Sequence, residues 1–274
     1  MSQTRLIQIA VIVLILIITI VLYKLPISKE AETKSVPAMP ASAFAFDGYL
    51  KGLKEQLDSA KVDEINKFET EANQNADSVS YEALGKIYDG LKQPAAAAYY
   101  FEKRAVITKT ERGYLEAAYR YFDAFKAAGD TSMRTEMVNR AITNYKKVIE
   151  INPKNLDAKC DLGVLYTESG GNPMQGIMLL REVVKENPNH ENAQLNLGML
   201  SIKSGQYDKA IERFDNVMKA NASRIDMYVY KAQAFAEMGD TLKSIENLKT
   251  FLSLSKDESM NEQVSAYLIE LQKK

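Results

Sequence analysis

The sequence predicts an all-α fold in which antiparallel helix pairs stack into a solenoid behind an N-terminal transmembrane helix. A small residue followed by isoleucine recurs every 34 or 35 residues, with the small residues at Ala141, Gly176, Ala210 and Ser244. Glycine recurs with the same period, at Gly170, Gly205 and Gly239. This period is typical of helix–turn–helix arrays, whose stacked pairs share one continuous core. An uncharged apolar run near the N-terminus predicts the membrane helix.

Residues 1–25 are predicted to form a transmembrane anchor. The segment Leu6–Leu22 carries no charge and is flanked by Arg5 and Lys24. As a helix it reaches about 25 Å, and snorkelling of the flanking cations extends it to the thickness of a hydrocarbon core. A cleaved signal peptide is the alternative, although the best cleavage pattern lies far downstream, at 41–43. We expect a single-pass protein of a bacterial inner membrane, with its repeats on the periplasmic side.

Two further segments precede the repeats. Residues 26–42 contain three prolines among Ser, Ala and charged residues without apolar periodicity, which predicts a flexible linker. Residues 43–77 show helical periodicity that breaks near Asp58-Ser59, without the repeat signature. We interpret them as a helical pair that caps the array, although the apolar face from Phe44 to Leu57 could also serve as a docking or dimerisation helix.

About five repeats are predicted over residues 78–258. Pro94 suits the first turn of a second helix, and Asn172-Pro173 suits an N-cap followed by the first helical residue. The second repeat has about nine extra residues around 126–138, which should lengthen both of its helices. Residues 259–274 carry an apolar stripe, so we expect a C-terminal helix that covers the last repeat.

The repeats resemble the tetratricopeptide repeat (TPR) family. The segment 192–222 follows the family pattern nearly throughout, with Leu197-Gly198, Ala210 and Phe214 at its packing positions and Gly205 at its turn. The tryptophan of the pattern is missing, and its places hold Tyr81, Lys159, Gln194 and Tyr228. The resemblance implies a TPR-like right-handed superhelical solenoid. It says little about function, because the matching residues are packing residues.

The resemblance also implies a groove, lined by the inner face of each first helix, that accepts a peptide segment or helix of a partner protein. Carried over residue by residue, the groove residues are Asp157, Cys160, Val164, Thr167, Asn192, Leu195, Met199, Ile202, Asp226, Val229, Gln233 and Ala236. Family members that clamp the terminal carboxylate of chaperone tails use cations on these faces. Here the corresponding places hold Cys160, Val164, Asp226 and Tyr230, so chaperone C-terminal tails are unsuitable ligands.

Charge and reactive residues argue against other functions. Lys plus Arg number 35 against 36 Asp plus Glu, and no run of cations at helical spacing indicates a basic patch, so we expect no nucleic-acid partner. His190, the only histidine, is interpreted as a solvated turn residue and Cys160, the only cysteine, as a small packing residue. The turn 170–172 lacks the ending of a phosphate-binding loop. We therefore predict no catalytic residue, no metal and no cofactor.

The sequence thus favours a membrane-anchored scaffold that binds a partner protein, in keeping with its general resemblance to bacterial accessory proteins that assist assembly of envelope complexes. The alternative is a homo-oligomeric structural envelope protein without a groove ligand. It would associate through Phe44–Phe68 or through the C-terminal helix. An enzyme is a third and purely formal possibility.

Overall fold

The computed structural model describes residues 44–273; the predicted anchor and linker, in residues 1–42, lie outside this range. The described residues form thirteen helices and no strand. In chain order they are α1 (Phe46–Lys54), α2 (Ser59–Asn75), α3 (Ser78–Gly90), α4 (Pro94–Thr108), α5 (Glu111–Ala127), α6 (Thr131–Ile151), α7 (Leu156–Glu168), α8 (Pro173–Glu186), α9 (Glu191–Lys203), α10 (Tyr207–Ala220), α11 (Met227–Glu237), α12 (Thr241–Leu254) and α13 (Glu258–Gln272). No helix within residues 44–273 is long and apolar enough to cross a bilayer.

Short polar side chains begin most of these helices. The backbone N–H groups of the first turn are left without partners inside the helix, and a side-chain oxygen just before the helix can accept from them. Asn172 caps α8 by accepting from the Gln175 N–H, and Pro173 follows at the first helical position. Asp240 caps α12 in the same way. The predicted helix starts at Pro94 and Asn172-Pro173 are therefore confirmed.

From α2 to α13 every helix packs against the next one along the chain. The pairs α3–α4, α5–α6, α7–α8, α9–α10 and α11–α12 correspond to successive repeats. Both helices of the second pair are long, with 17 residues in α5 and 21 in α6. The extra residues that the sequence placed in this repeat lengthen its helices as expected.

Glycine has two separate roles in the repeats. Gly170, Gly205 and Gly239 end the first helices with φ angles of 71°, 71° and 80°, a conformation that costs other residues energy. Gly198 instead allows close packing, because a Cβ there would lie 2.5 Å from the Phe214 ring. The glycine period in the sequence thus marks turns, whereas Leu-Gly marks the crossing of paired helices.

The two ends of the described chain are covered by additional helices. Phe46 and Leu50 of α1 are buried, and the Phe46 ring stacks on Tyr99 of α4 with their centroids 4.6 Å apart. At the other end, Val264 and Leu271 of α13 are buried in a cluster with residues of α11 and α12. Both contacts withdraw apolar side chains from water, which is the main favourable contribution to such packing.

Candidate protein-binding surfaces

The predicted groove residues occupy three successive first helices. Helix α7 carries those from Asp157 to Thr167, α9 those from Asn192 to Ile202, and α11 those from Val229 to Ala236. Asp226 lies just before α11, at its N-cap position. Spacings of three and four residues keep each set on one stripe of its helix. We call these stripes together the first-helix face.

Two of the twelve residues are not available to a ligand. Cys160 is 1% exposed and Val164 is also buried, both in a core cluster that extends from α4 to α9 and includes Phe46 of α1. The expectation that Cys160 lines an accessible groove is therefore wrong, because the long α5–α6 pair covers this side of α7. Its interpretation as a small packing residue fits the structure. Burial, together with Asp161 and Asp157, raises the pKa of the thiol to about 12, so the group stays protonated and unreactive at neutral pH.

The polar end of the first-helix face is organised around His190. Its Nδ1 accepts the Ala193 N–H at 3.3 Å and caps α9, while its Nε2 lies 3.2 Å from Asp157 Oδ1. The His190 side chain is only 9% exposed, so its interpretation as a solvated turn residue was wrong. A single imidazole links the starts of α7 and α9, and both of its nitrogens are used in these structural contacts.

A second ionic link joins the starts of α9 and α11. The Arg224 guanidinium donates two hydrogen bonds to the Asp226 carboxylate, at 3.0 and 2.9 Å, and lies 3.5 Å from Glu191. Asn221 also donates to Glu191, at 3.2 Å. A cation is therefore present beside Asp226, contrary to the expectation from the sequence. Its two carboxylate partners already neutralise it, so the site still does not favour a terminal carboxylate.

The middle of the first-helix face is apolar and partly accessible. Leu195, Met199 and Ile202 are half-buried and pack against a cluster that includes Phe214 and Met227. Further along, Val229 and Ala236 are half-buried, as is Thr167 on α7. Asn192 and Gln233 are exposed beside them. The result is an apolar strip with amide groups at its edge, which suits a peptide that offers both apolar side chains and backbone hydrogen-bonding groups.

A second surface lies between α8, α9 and α10, and we call it the α8–α10 cleft. Its volume is about 460 Å³. Its lining is Met174, Ile177, Arg181, Leu197, Leu200, Ser201, Lys203, Ser204, Gln206, Lys209 and Arg213. The lining therefore contains four cations and no carboxylate. The sequence had indicated no basic patch, and that expectation is wrong at this cleft.

The sequence does not show the four cations as one run, because Arg181 is distant from the other three and those three are divided between two helices. Arg181 comes from α8, Lys203 from the end of α9, and Lys209 and Arg213 from α10. Only the packing of three helices brings them together. The one local signal was the spacing of four residues between Lys209 and Arg213, which places both on one side of a helix.

Within residues 44–273 no group of three or more His, Cys, Asp or Glu side chains is arranged to hold a metal ion. What the first-helix face and the α8–α10 cleft do offer a ligand is shape, apolar contact and charge.

Comparison with known proteins agrees with this architecture. Tetratricopeptide repeat family models match residues 127–155 and 169–234. A crystal structure of MamA protein is 18% identical, with a TM-score of 0.52 over 68% of this chain and 95% of the other. A thermophilic TPR protein from Thermus thermophilus is 15% identical, with a TM-score of 0.50 over 72% of this chain and 99% of the other. No curated protein matches by sequence.

These observations converge on one family. The period of 34 or 35 residues, the Leu-Gly crossings and the paired helices follow the TPR pattern from the third helix to the twelfth. The family models match two stretches inside this region. The solved structures share its fold. The chain contains tetratricopeptide repeats and has the fold of TPR proteins.

Proposed function

We propose that this protein is a membrane-anchored scaffold whose first-helix face binds a peptide segment or helix of another protein. The observation that carries the proposal is the strip formed by Leu195, Met199 and Ile202, which stays partly open although α9 packs against both α8 and α10. A half-buried apolar strip is stabilised when a partner covers it, because more apolar surface leaves water. The amides of Asn192 and Gln233 at its edge can then fix the register of the partner.

Membrane attachment belongs to the same proposal. The uncharged run Leu6–Leu22 would hold the protein in a bacterial inner membrane, with residues 26–42 as tether and the repeats on the periplasmic side. Such a scaffold would assist the assembly of an envelope complex. Fusion of a periplasm-dependent enzyme to the C-terminus tests the orientation: an active fusion supports it, and an inactive but expressed fusion contradicts it.

The homo-oligomeric alternative is weakened by the packing of α1. The apolar residues Phe46 and Leu50, which could have formed a dimer face, are already buried against the rest of the chain. The last helix keeps Ile269 exposed and remains the other candidate for self-association. Light scattering decides between scaffold and oligomer, because a monomer that persists at every concentration removes self-association as the main role.

The groove is tested by affinity capture from native membranes with the full-length protein and with Met199→Glu. The charge should abolish capture of the partner while the helix content, measured by circular dichroism, stays unchanged. Gln233→Arg provides a second variant that cannot disturb the core, because Gln233 is exposed. Leu242→Glu is the matched control, since Leu242 is 82% exposed on α12 and outside the groove. Equal capture by all four proteins would refute the groove.

A further inference from the structure

The α8–α10 cleft combines an apolar floor with an unusually accessible methionine. Leu197 is buried at its base, and Ile177 and Leu200 are half-buried beside it. Met174 stands at its edge with 64% of its surface exposed. Methionine is flexible and polarisable, so an exposed one beside an apolar floor adapts to the side chains of different partners. The cleft is therefore able to accept bulky apolar groups.

The cations around this floor lack carboxylate partners. Within residues 44–273, none of Arg181, Lys203, Lys209 and Arg213 forms an ion pair. Lys209 donates to the neutral Gln206 Oε1 at 2.7 Å, and Arg213 donates to Gln194 Oε1 at 2.9 Å. Four positive charges beside an apolar surface attract an anionic group more strongly than isolated surface cations do.

The cleft is separate from the first-helix face. Both surfaces use α9, where a turn of about 100° per residue places Leu197 and Ser201 about 160° around the axis from Met199 and Leu200 about 100° from it. Lys203 lies only about 40° from Met199, so it stands at the edge between the two surfaces. Met199 belongs to the groove, whereas Leu197, Leu200 and Ser201 form the part of α9 that lines the cleft. A ligand can thus occupy one surface without blocking the other, and a substitution can disable one alone.

We propose that the α8–α10 cleft is a second docking site, which binds an acidic segment of a partner protein. Bulky apolar side chains of that segment lie on the floor between α8 and α10. Aspartate or glutamate side chains on either side meet the four cations, with Arg181 and Arg213 offering the paired N–H groups that suit a carboxylate. The proposal does not depend on the groove. The scaffold would then have two sites that use different sides of α9, so that it can hold two protein segments together.

A protein segment fits this cleft better than a nucleic acid does. The lining contains no aromatic side chain on which a base could stack, and single-stranded nucleic acids are usually held by such stacking. The floor consists instead of aliphatic side chains and methionine. The chain as a whole also has no positive excess, with a formal net charge of −1. Charge complementarity and an aliphatic floor together select an acidic, apolar peptide.

The test selects random short peptides, displayed on phage, against the purified full-length protein in detergent micelles. The selected sequences should combine acidic with bulky apolar residues. Binding of the best peptide, followed by fluorescence anisotropy, should weaken at least about tenfold in the double variant Arg181→Glu/Lys209→Glu, because two attractive charges become repulsive. Raising the salt from about 50 mM to about 300 mM should also weaken it. Met174→Ser should reduce affinity without changing this salt dependence.

The matched control is Lys219→Glu/Lys249→Glu, which makes the same change of charge at two exposed lysines outside the cleft. This control should bind the peptide like the unmodified protein. Three results would overturn the proposal: selected peptides without acidic residues, equal loss of binding in both double variants, or single-stranded DNA that binds the cleft more tightly than any peptide. Met199→Glu should leave peptide binding intact, which separates this site from the groove.

Discussion

The pairs α5–α6 and α9–α10 use charged residues in opposite ways. In the first, Glu102 of the preceding helix accepts hydrogen bonds from Tyr121 and Asn144, both at 2.8 Å, and pairs with Arg140. The Arg140 guanidinium also lies 4.8 Å from the centre of the Phe46 ring. These charges face one another inside the packing of α1, α4, α5 and α6. They hold the helices together and are not available to another molecule.

In the α9–α10 pair, two cations of α10 have no carboxylate partner among the described residues. Lys209 and Arg213 contact only neutral acceptors, and the packing is provided by Phe214 against Gly198. An antiparallel helix pair of the same kind can therefore use its charged side chains either for internal packing or for binding another molecule. Where carboxylates and cations satisfy each other, the pair contributes to stability; where the cations lack such partners, the surface is able to bind.

The largest expected effect comes from the core of the α9–α10 pair. Phe214 is fully buried, and Phe214→Ala should lower the free energy of unfolding by about 3–5 kcal/mol, because it removes apolar burial and leaves a cavity beside Gly198. Urea denaturation followed by circular dichroism measures the change. Phe214→Leu, which keeps much of the volume, should cost less. A loss below about 1 kcal/mol for Phe214→Ala would show that the stability of this repeat does not depend on the contact between Phe214 and Gly198.

A smaller effect is expected for the internal charge network. Glu102→Ala should cost about 1.5–3 kcal/mol, since it leaves Arg140 without this carboxylate and Tyr121 and Asn144 without an acceptor. Arg181→Ala in the α8–α10 cleft should change stability by less than about 0.5 kcal/mol. Urea denaturation of both variants under the same conditions measures the difference between their losses of stability. Equal losses would remove the distinction between charges with and without a partner of opposite sign.

The turns provide a third contrast, again between an early repeat and a regular one. Gly205 ends α9 with φ 71°, whereas Lys92 occupies the corresponding place after α3 with φ 56°. Gly205→Ala should cost about 1 kcal/mol, and Lys92→Gly should add up to about 1 kcal/mol, because only glycine adopts this conformation without strain. Thermal unfolding measures both shifts. Opposite signs support the equivalence of the turns, and equal signs contradict it.

A pH-dependent effect is expected for Asp161, which lies on α7 between the two regions. Its burial raises the pKa of the carboxyl from 3.8 to about 6, and Asp157 adds to the shift. The folded state therefore holds the proton more tightly than the unfolded chain does. Ionisation of Asp161 lowers stability above about pH 6, and this cost disappears as the pH falls from about 6 to about 4.

Asp161→Asn removes that cost. The variant should be more stable than the unmodified protein at pH 7.5, and the difference should vanish near pH 4, because all other groups are the same in both. Urea midpoints over this pH range measure the difference. A difference that stays constant with pH would show that Asp161 is not the titrating group.

Much of the fold was predictable because the repeat pattern consists of local packing residues. Gly170 and Gly205 marked the turns, and Asn172-Pro173 marked a helix start, since each acts through its own backbone geometry. It was harder to predict from the sequence how the positions of the missing tryptophans are filled. Lys159 fills one by pairing with Glu182 and Glu186, a solution that depends on the neighbouring helix.

The candidate sites were less predictable because accessibility and charge pairing are set between helices. Periodicity placed Cys160 on the first-helix face, but the length and packing of α5 and α6 decide that it is buried. His190 was placed in a turn, but the position of Asp157 one repeat earlier decides that it is bonded. The α8–α10 cleft likewise needs three helices before its four cations meet.

The most direct test of the scaffold is photo-crosslinking in native membranes, with p-benzoylphenylalanine in place of Met199 in the full-length protein. A second protein carries the same group in place of the exposed Leu242. We expect a crosslink from position 199 to one short segment of a partner protein, identified by mass spectrometry, and none from position 242. A crosslink of equal yield at both positions, or no crosslink at 199, would contradict binding on the first-helix face.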